Sequence, residues 1–376
     1  MKIKSVRLYE LRIPFKFNIT HTLKYRSRSY SIVVVIETAE GTLHYGEGCP
    51  REYVIDEPKE NILKTFETIA TEIDTDTFDS LENIKTLSDT LSDMYQVPSL
   101  ASAFSIALLD MYSLRKSIPI YKLLNSNPSN HQLCPYSGIL STTDNQKFSE
   151  LLAVIKKLEL PHVKLKAGHA ADLDNVRMAR NILGDDIEIR IDGNRVWTEE
   201  EALQKIPFFY EYNITGVEEP LIASQIDRLP HLSEKIEIPI ILDESIYRSN
   251  QAQYYIDRID SAKLHFNLKI SKLGGPLRAA EIFKLAERNK VKCMLGCNVG
   301  ESAILSSIGR SFAQAYKLKH LEGSYAPFFM DGDIGEKPIF FGDRGTSNRI
   351  TVSGLGLDIS KKNMQAFSIE KSKIVK

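Results

Sequence analysis

Hydrophobic positions along the chain fall into two regimes. The first 54 residues alternate or run in short β-branched stretches, and residues 31–37 (Ser-Ile-Val-Val-Val-Ile-Glu) are followed by a turn at Glu40-Gly41. That composition predicts strands. Residues 58–125 change to helical spacing, and the stretch 100–115 is rich in Ala and Ser, as close helix packing requires. A polar, breaker-rich segment at 125–130 marks a domain boundary.

Beyond it the pattern repeats. Short β-branched runs alternate with amphipathic helices. Representative strand positions are Tyr136, Lys164, Asp192, Glu218, Asp243, Lys269, Leu295 and Glu322, with steps of 28, 28, 26, 25, 26, 26 and 27 residues. One strand plus one helix at so even a step predicts an eight-stranded parallel β/α barrel. A doubly wound sheet has no need of eight equal units. Thr198-Glu199-Glu200-Glu201 reads as a capping box, and Gly274-Gly275-Pro276 as the entry to a helix. The repeat ends near Pro327. Residues 349–352 and 357–359 look like strands that return to the first domain. The expected plan is a cap over 1–128, a barrel over 129–340 and a C-terminal segment, 341–376, that completes the cap.

Composition narrows the function. The chain has 376 residues, enough for two domains, and 43% hydrophobic content supplies a large core. Its 48 basic and 49 acidic residues give a net charge of −1, so no bulk field points to nucleic acid or to a membrane surface. No apolar run approaches the roughly 20 residues of a membrane span, and residues 1–7 lack a signal-peptide core. A cytoplasmic location is the default expectation. The four cysteines, at 49, 134, 293 and 297, match no zinc or redox spacing and read as buried thiols.

Catalytic residues of a barrel belong at the C-terminal ends of its strands. Three consecutive strands there deliver Asp192, Glu218 and Asp243. Carboxylates so close repel unless a cation neutralises them, and an all-oxygen set favours Mg²⁺, with Mn²⁺ as a substitute. Lys164 and Lys166 lie two apart, so both point to one side of their strand. Lys269 comes from the sixth strand, across the barrel from the second. Lys164 and Lys272 read as structural partners of the acids. Lys166 and Lys269 read as the working pair, a base on one face of a substrate carbon and an acid on the other. With a metal holding the substrate carboxylate, such a pair exchanges an α-proton through an enediolate.

These motifs resemble the enolase superfamily, and within it the muconate-lactonizing subgroup. The matching pieces are Lys164-Leu165-Lys166, Asp192-Gly193-Asn194 with Trp197, Val217-Glu218-Glu219-Pro220, Leu242-Asp243-Glu244-Ser245 and Lys269-Ile270-Ser271-Lys272-Leu273-Gly274-Gly275. The resemblance spans essentially the whole chain. It implies an α+β cap on a modified (β/α)7β barrel, metal ligands at Asp192, Glu218 and Asp243, and acid/base lysines at Lys166 and Lys269. Lys164 would tune Lys166 and touch the substrate carboxylate. Asn194, beside the first metal ligand, is a further expected substrate contact.

Within that subgroup the expected activity is a racemase or epimerase of dipeptides or other N-substituted amino acids. The alternatives are a muconate-type cycloisomerase and an o-succinylbenzoate synthase-like dehydratase. Dipeptide epimerases usually hold the substrate ammonium with an Asp-x-Asp pair on strand 8. This chain offers Leu321-Glu322-Gly323-Ser324, where Glu322 alone stands in for part of the pair. The strand 7 turn, Gly296-Cys297-Asn298-Val299-Gly300-Glu301-Ser302, is one residue longer than usual. Over the barrel mouth the cap offers residues 21–28 and 49–53. There Arg26, Arg28 and Arg51 are candidates for a distal substrate carboxylate, since Arg pairs with carboxylates in bidentate fashion. Trp197 is expected to pack behind the metal strand. The expected partners are a small carboxylate substrate and further copies of the chain in a homo-oligomer, not nucleic acid or a membrane. A non-catalytic protein on this fold would have lost ligands or lysines, and all five core residues are present.

Overall fold

Strands β1 (Ile3–Leu11), β4 (Ser31–Thr38) and β5 (Leu43–Gly48) form an antiparallel sheet in a computed structural model of the chain, and β2 (Pro14–His21) and β3 (Lys24–Arg28) form a separate hairpin. The structure describes residues 2–21, 24–52, 57–73, 78–128, 135–141, 144–169 and 171–376. Tyr53, Cys134, Thr22 and Leu23, with Ser129 and Asn130 of the polar boundary segment, lie outside the described residues.

The unbroken apolar run of β4 follows from burial on both faces. Ile32, Val34 and Ile36 pack on the cap helices. Val33 and Val35, which a strand's alternation points the other way, join the core shared with the barrel. Helices Lys59–Glu72, Leu81–Asp89 and Pro98–Lys116 cover the sheet. The last lies directly on β5. A Cβ at Gly46 would stand 1.9 Å from the Ala103 carbonyl oxygen, and one at Gly48 1.9 Å from that of Ser99. Only glycine permits so close an approach.

The barrel strands are β6 (Ser137–Leu140), β7 (His162–Lys166), β8 (Glu188–Asp192), β9 (Ile214–Glu218), β10 (Ile240–Leu242), β11 (Leu264–Leu268) and β12 (Lys292–Leu295). They lie parallel in chain order. The eighth strand is reduced to a bridge: Leu321 pairs with both Tyr136 and Leu295. Ser137 N donates to the Leu321 oxygen at 2.8 Å, and Glu322 N to the Leu295 oxygen at 2.8 Å. These bonds close the ring into a modified TIM barrel. The Thr198–Glu201 capping box forms, and Pro276 opens helix Pro276–Arg288.

The C-terminal return differs from the expectation. Strand β13 is Ser368–Val375, antiparallel to the free edge of β1. Residues 349–359 form no strand. Gly354 and Gly356 adopt φ of +74° and +65°, which breaks an extended run. Their stretch bonds instead to helix Pro98–Lys116, with Gly354 N on Ser113 Oγ at 2.7 Å and Leu355 N on Asp110 Oδ1 at 2.8 Å. Among the described residues, no helix is long and apolar enough to cross a membrane.

Candidate active site

The strand ends meet as one rim. Lys166 ends β7, Asp192 ends β8 and Glu218 ends β9; Asp243 follows β10 and Lys269 follows β11. Register aligns Lys166 with Asp192 and Asp192 with Glu218. The three carboxylates are buried and the two lysines half-buried, so their charges act in a poorly screened interior.

Each acid has a cation. Lys164 Nζ stands 3.4 Å from Asp192 Oδ2, 3.4 Å from Glu218 Oε1 and 2.9 Å from Glu322 Oε1. Lys269 pairs with Asp243 Oδ2, and Lys272 with Asp243 Oδ1 at 2.9 Å. Lys166 differs. Among the described residues it has no carboxylate within ion-pair distance, and its Nζ donates to Asn194 Oδ1 at 2.8 Å. Asn194 takes a left-handed φ of +46°, and its N–H holds Asp192 Oδ1 at 3.0 Å.

The two working lysines are therefore electrostatically unlike. Burial lowers the pKa of Lys166; Asp192 partly restores it, and the charges of Lys164 and Lys269 lower it further. Burial acts against the Lys269 charge as well, but Asp243 and Glu244 outweigh it and hold the ammonium well above its ordinary value. Lys164 is likewise held charged, with burial overcome by Glu218, Glu322 and Asp192.

Beneath the rim lies a layer that strand-end reading missed. Arg190 pairs with Glu322, and its Nε lies 3.7 Å from Glu218 Oε2. Asn267 Nδ2 donates to Glu218 Oε1 at 2.8 Å. Arg190 and Asn267 each precede a rim residue by two, so the alternation that grouped Lys164 with Lys166 also marks them. Glu322 is held down at about 2: burial would raise it, and Lys164 and Arg190 overcome that. Glu219 braces the rim from outside. Its carboxylate accepts from Asp243 N at 2.7 Å, Ser245 N at 2.7 Å and Ser245 Oγ at 2.6 Å. Glu244 is pushed up to about 8 by burial, then by Asp243 and Glu219.

The cap is clasped onto the rim. Glu47 of β5 accepts from Ser302 N at 3.0 Å and Ser302 Oγ at 2.6 Å, at the start of helix Ala303–Tyr316. Cys49 N donates to Ser271 Oγ at 2.6 Å. Arg51 is buried and donates to the Tyr30 and Val299 carbonyls at 2.9 and 2.7 Å, so it binds the strand 7 turn and is not a free guanidinium. Arg26 is half-buried, and its charge is felt at buried Cys49. Arg28 is exposed on β3, opposite Pro14, and among the described residues it makes no ion pair with the rim. Trp197 is buried against Phe209, with ring centroids 6.4 Å apart. Cys49, Cys293 and Cys297 are free thiols.

The rim carboxylates suit a hard divalent cation by donor type. Asp192, Glu218 and Asp243 offer oxygen alone. Burial and repulsion from Asp192, Glu322 and Asp243 push Glu218 up to about 7 despite Lys164, and added positive charge would relieve that. The three are spread apart around their lysines, however. Among the described residues the one acid or imidazole group with ligand atoms within 4.8 Å of one another is His162, Glu188 and His320.

The model of the family "Enolase C-terminal domain-like" matches residues 149–363. The chain belongs to the enolase superfamily. It is 27% identical to the N-succinyl-L-Arg/Lys racemase of Bacillus cereus, over 98% of each chain. The crystal structure of that racemase superposes with a TM-score of 0.88, covering 100% of both chains. The dipeptide epimerase of Cytophaga hutchinsonii, solved with Mg and D-Ala-L-Val, gives a TM-score of 0.87 at 27% identity, over 100% of this chain and 99% of that one. The hydrophobic dipeptide epimerase of Enterococcus faecalis is 29% identical, over 84% of this chain and 88% of its own length.

Proposed function

We propose that this enolase-superfamily protein is a Mg²⁺-dependent racemase or epimerase of N-substituted amino acids, with N-acylated substrates ahead of free dipeptides. Its class is isomerase, in keeping with its racemase and epimerase relatives. One observation carries the reading: two rim lysines close enough to feel each other's charge, one lowered and free of carboxylates, the other held charged by Asp243.

Asp192, Glu218 and Asp243 would hold the cation. When bound, it would supply positive charge to a substrate carboxylate as the neighbouring carbon loses its proton. The chain's own residues do the rest. Lys166, biased towards the neutral amine, takes the α-proton from the face it meets. Lys269, biased towards the ammonium, returns a proton to the opposite face. The configuration inverts, one lysine gains the proton the other loses, and the reverse turnover begins from the swapped state. Asn194 aims Lys166 through its 2.8 Å hydrogen bond. Lys164 keeps positive charge beside Asp192 and Glu218 and would touch the substrate carboxylate.

Strand 8 bears on the substrate. A dipeptide ammonium needs a carboxylate with charge to spare. Glu322 is already engaged by Lys164 and Arg190. An amide nitrogen makes no such demand. A distal carboxylate on the acyl group would meet the cap at Arg26, with Arg28 reaching in from the hairpin. The dipeptide reading keeps one observation in its favour. Glu301 is half-buried, has no ion pair among the described residues and is pushed up to about 8, by desolvation first; an ammonium would relieve it.

Incubation with Mg²⁺ and a library of N-acylamino acids and dipeptides in D₂O tests the proposal. The expected result is α-deuterium in N-acylamino acids, N-succinyl compounds foremost. Incorporation confined to dipeptides would transfer the assignment to Glu301. No incorporation into any member would overturn proton exchange altogether.

A further inference from the structure

We propose that the floor of the barrel, at the end of the strands opposite the active-site rim, is a second metal site, in which His162, Glu188 and His320 bind a transition-metal cation of the Zn²⁺ class. The proposal does not depend on the reaction assigned to the rim.

The site is built by the same alternation that builds the rim. His162 opens β7, four residues before Lys166. Glu188 opens β8, four residues before Asp192. His320 immediately precedes Leu321, the residue that closes the barrel. Each therefore shares its strand's face with the rim but lies at the opposite end. Register sets His162 beside Glu188, and closure at Leu321 brings His320 against them. The two imidazole rings lie 3.9 Å apart by centroid, at 41°.

The distances suit coordination better than hydrogen bonding. Glu188 Oε2 is 3.4 Å from His320 Nε2 and 3.7 Å from His162 Nδ1. A hydrogen bond would be shorter, at about 2.7–3.2 Å. The edge of a tetrahedron with metal–ligand bonds of about 2.0–2.1 Å is about 3.3–3.4 Å. His162 is 8% exposed, yet its Nδ1 has no hydrogen-bond partner. A buried, unpartnered ring nitrogen turned towards a carboxylate is costly unless something else binds it. The Lys319 backbone lies within hydrogen-bonding reach of the His162 ring. Such an outer bond is what commonly fixes the tautomer of a metal-binding histidine.

Donor chemistry selects the ion. Two imidazoles and one carboxylate suit Zn²⁺, Co²⁺ or Ni²⁺ and are poor for Mg²⁺, which the all-oxygen rim favours. Burial, then nearby positive charge, pushes His162 down to about 4. For His320 burial is followed by His162 and Arg190, and it falls to about 2. Both rings are thus neutral near pH 7, with lone pairs available and no proton to displace. Arg190 and Lys319 oppose a cation here as well. Glu188 supplies the compensating negative charge, and Arg190 is itself engaged by Glu322 and Glu218. Glu188 is about half exposed, which leaves an entry path from solvent and room for water as the remaining ligand.

The test uses the full chain, stripped with chelator and then held in excess Mg²⁺. Zn²⁺ is titrated by calorimetry, and Co²⁺ by its visible absorption. The expected result is one equivalent of Zn²⁺ bound despite the Mg²⁺, with a Co²⁺ spectrum of low coordination number. Affinity should fall at least tenfold in His320→Ala and in Glu188→Gln, and persist in Asp192→Asn. Glu188→Gln alters a half-exposed side chain, so it remains informative if His320→Ala fails to fold. Absence of Zn²⁺ binding in excess Mg²⁺ would overturn the proposal. So would binding that survives Glu188→Gln, or binding lost in Asp192→Asn, which would place the ion at the rim.

Discussion

The rim and the floor of the barrel are built from the same strands and the same inward face, yet they hold different chemistry. At the rim, Lys166 and Asp192 share a register, and carboxylates face ammonium groups. At the floor, four residues earlier on each strand, His162 faces Glu188 and the rings are neutral. Between them runs an ionic layer of Lys164, Arg190, Asn267 and Glu322. A barrel interior is thus a stack of layers, each set by every second residue of its strands. Position along the strand decides whether a layer is reactive, ionic and closed, or suited to an imidazole-bound ion.

The largest expected break falls on the rim's paired lysines. Lys269→Ala should lower turnover by about 10²–10⁴-fold, the usual cost of losing a general acid or base. Lys166→Ala should cost as much, and steady-state kinetics in both directions checks both.

The middle layer should respond in stability. Glu322→Gln leaves Lys164 and Arg190 without their shared carboxylate. Removing one partner of a buried pair costs about 3–5 kcal/mol. Urea unfolding should show that loss, and a change within 1 kcal/mol would mean the layer is water-penetrated.

Metal affinity should separate the two ends. Asp192→Asn should weaken Mg²⁺ binding at least tenfold, about 1.4 kcal/mol or more. Unchanged Mg²⁺ affinity would count against the rim assignment.

Acid should act on the floor. The folded pKa values of His162 and His320, about 4 and about 2, lie below the ordinary 6.5. The unfolded chain therefore binds more protons, and their contribution to stability is present above about 6.5 and declines as pH falls towards 4. His320→Asn should flatten part of that decline in a chemical-denaturation series. An unaltered slope would show that its ring takes up protons equally in the folded and unfolded chain.

The smallest effect is expected in the cap. Arg28→Met should raise KM or shift substrate choice and leave Mg²⁺ affinity alone. Wild-type kinetics on every accepted substrate would remove Arg28 from the site.

The rim was legible in the sequence because each of its residues ends or directly follows a strand in a repeat of nearly constant step. The fold was legible for the same reason. Arg190 and Asn267 of the ionic layer sit inside their strands and are marked only by the two-residue step along β8 and β11 that leads to Asp192 and Lys269. The floor could not be read locally, since His320 joins it only through closure at Leu321. The returning strand was misplaced for a physical reason. Residues 350–352 carry β-branched side chains but are followed by left-handed glycines. The true strand, Ser368–Val375, is a charged, mostly exposed edge strand whose pattern is weak.

The most direct test of the account is solvent exchange in the Lys269→Ala variant. With Mg²⁺ and each enantiomer of an accepted substrate in D₂O, Lys166 alone should remove one proton. The account predicts no net racemisation and α-deuterium in only one enantiomer, with the opposite enantiomer labelled by Lys166→Ala. Near-normal turnover in either variant, or equal labelling of both enantiomers, would contradict a two-lysine mechanism and turn the reading towards single-base cycloisomerisation or dehydration.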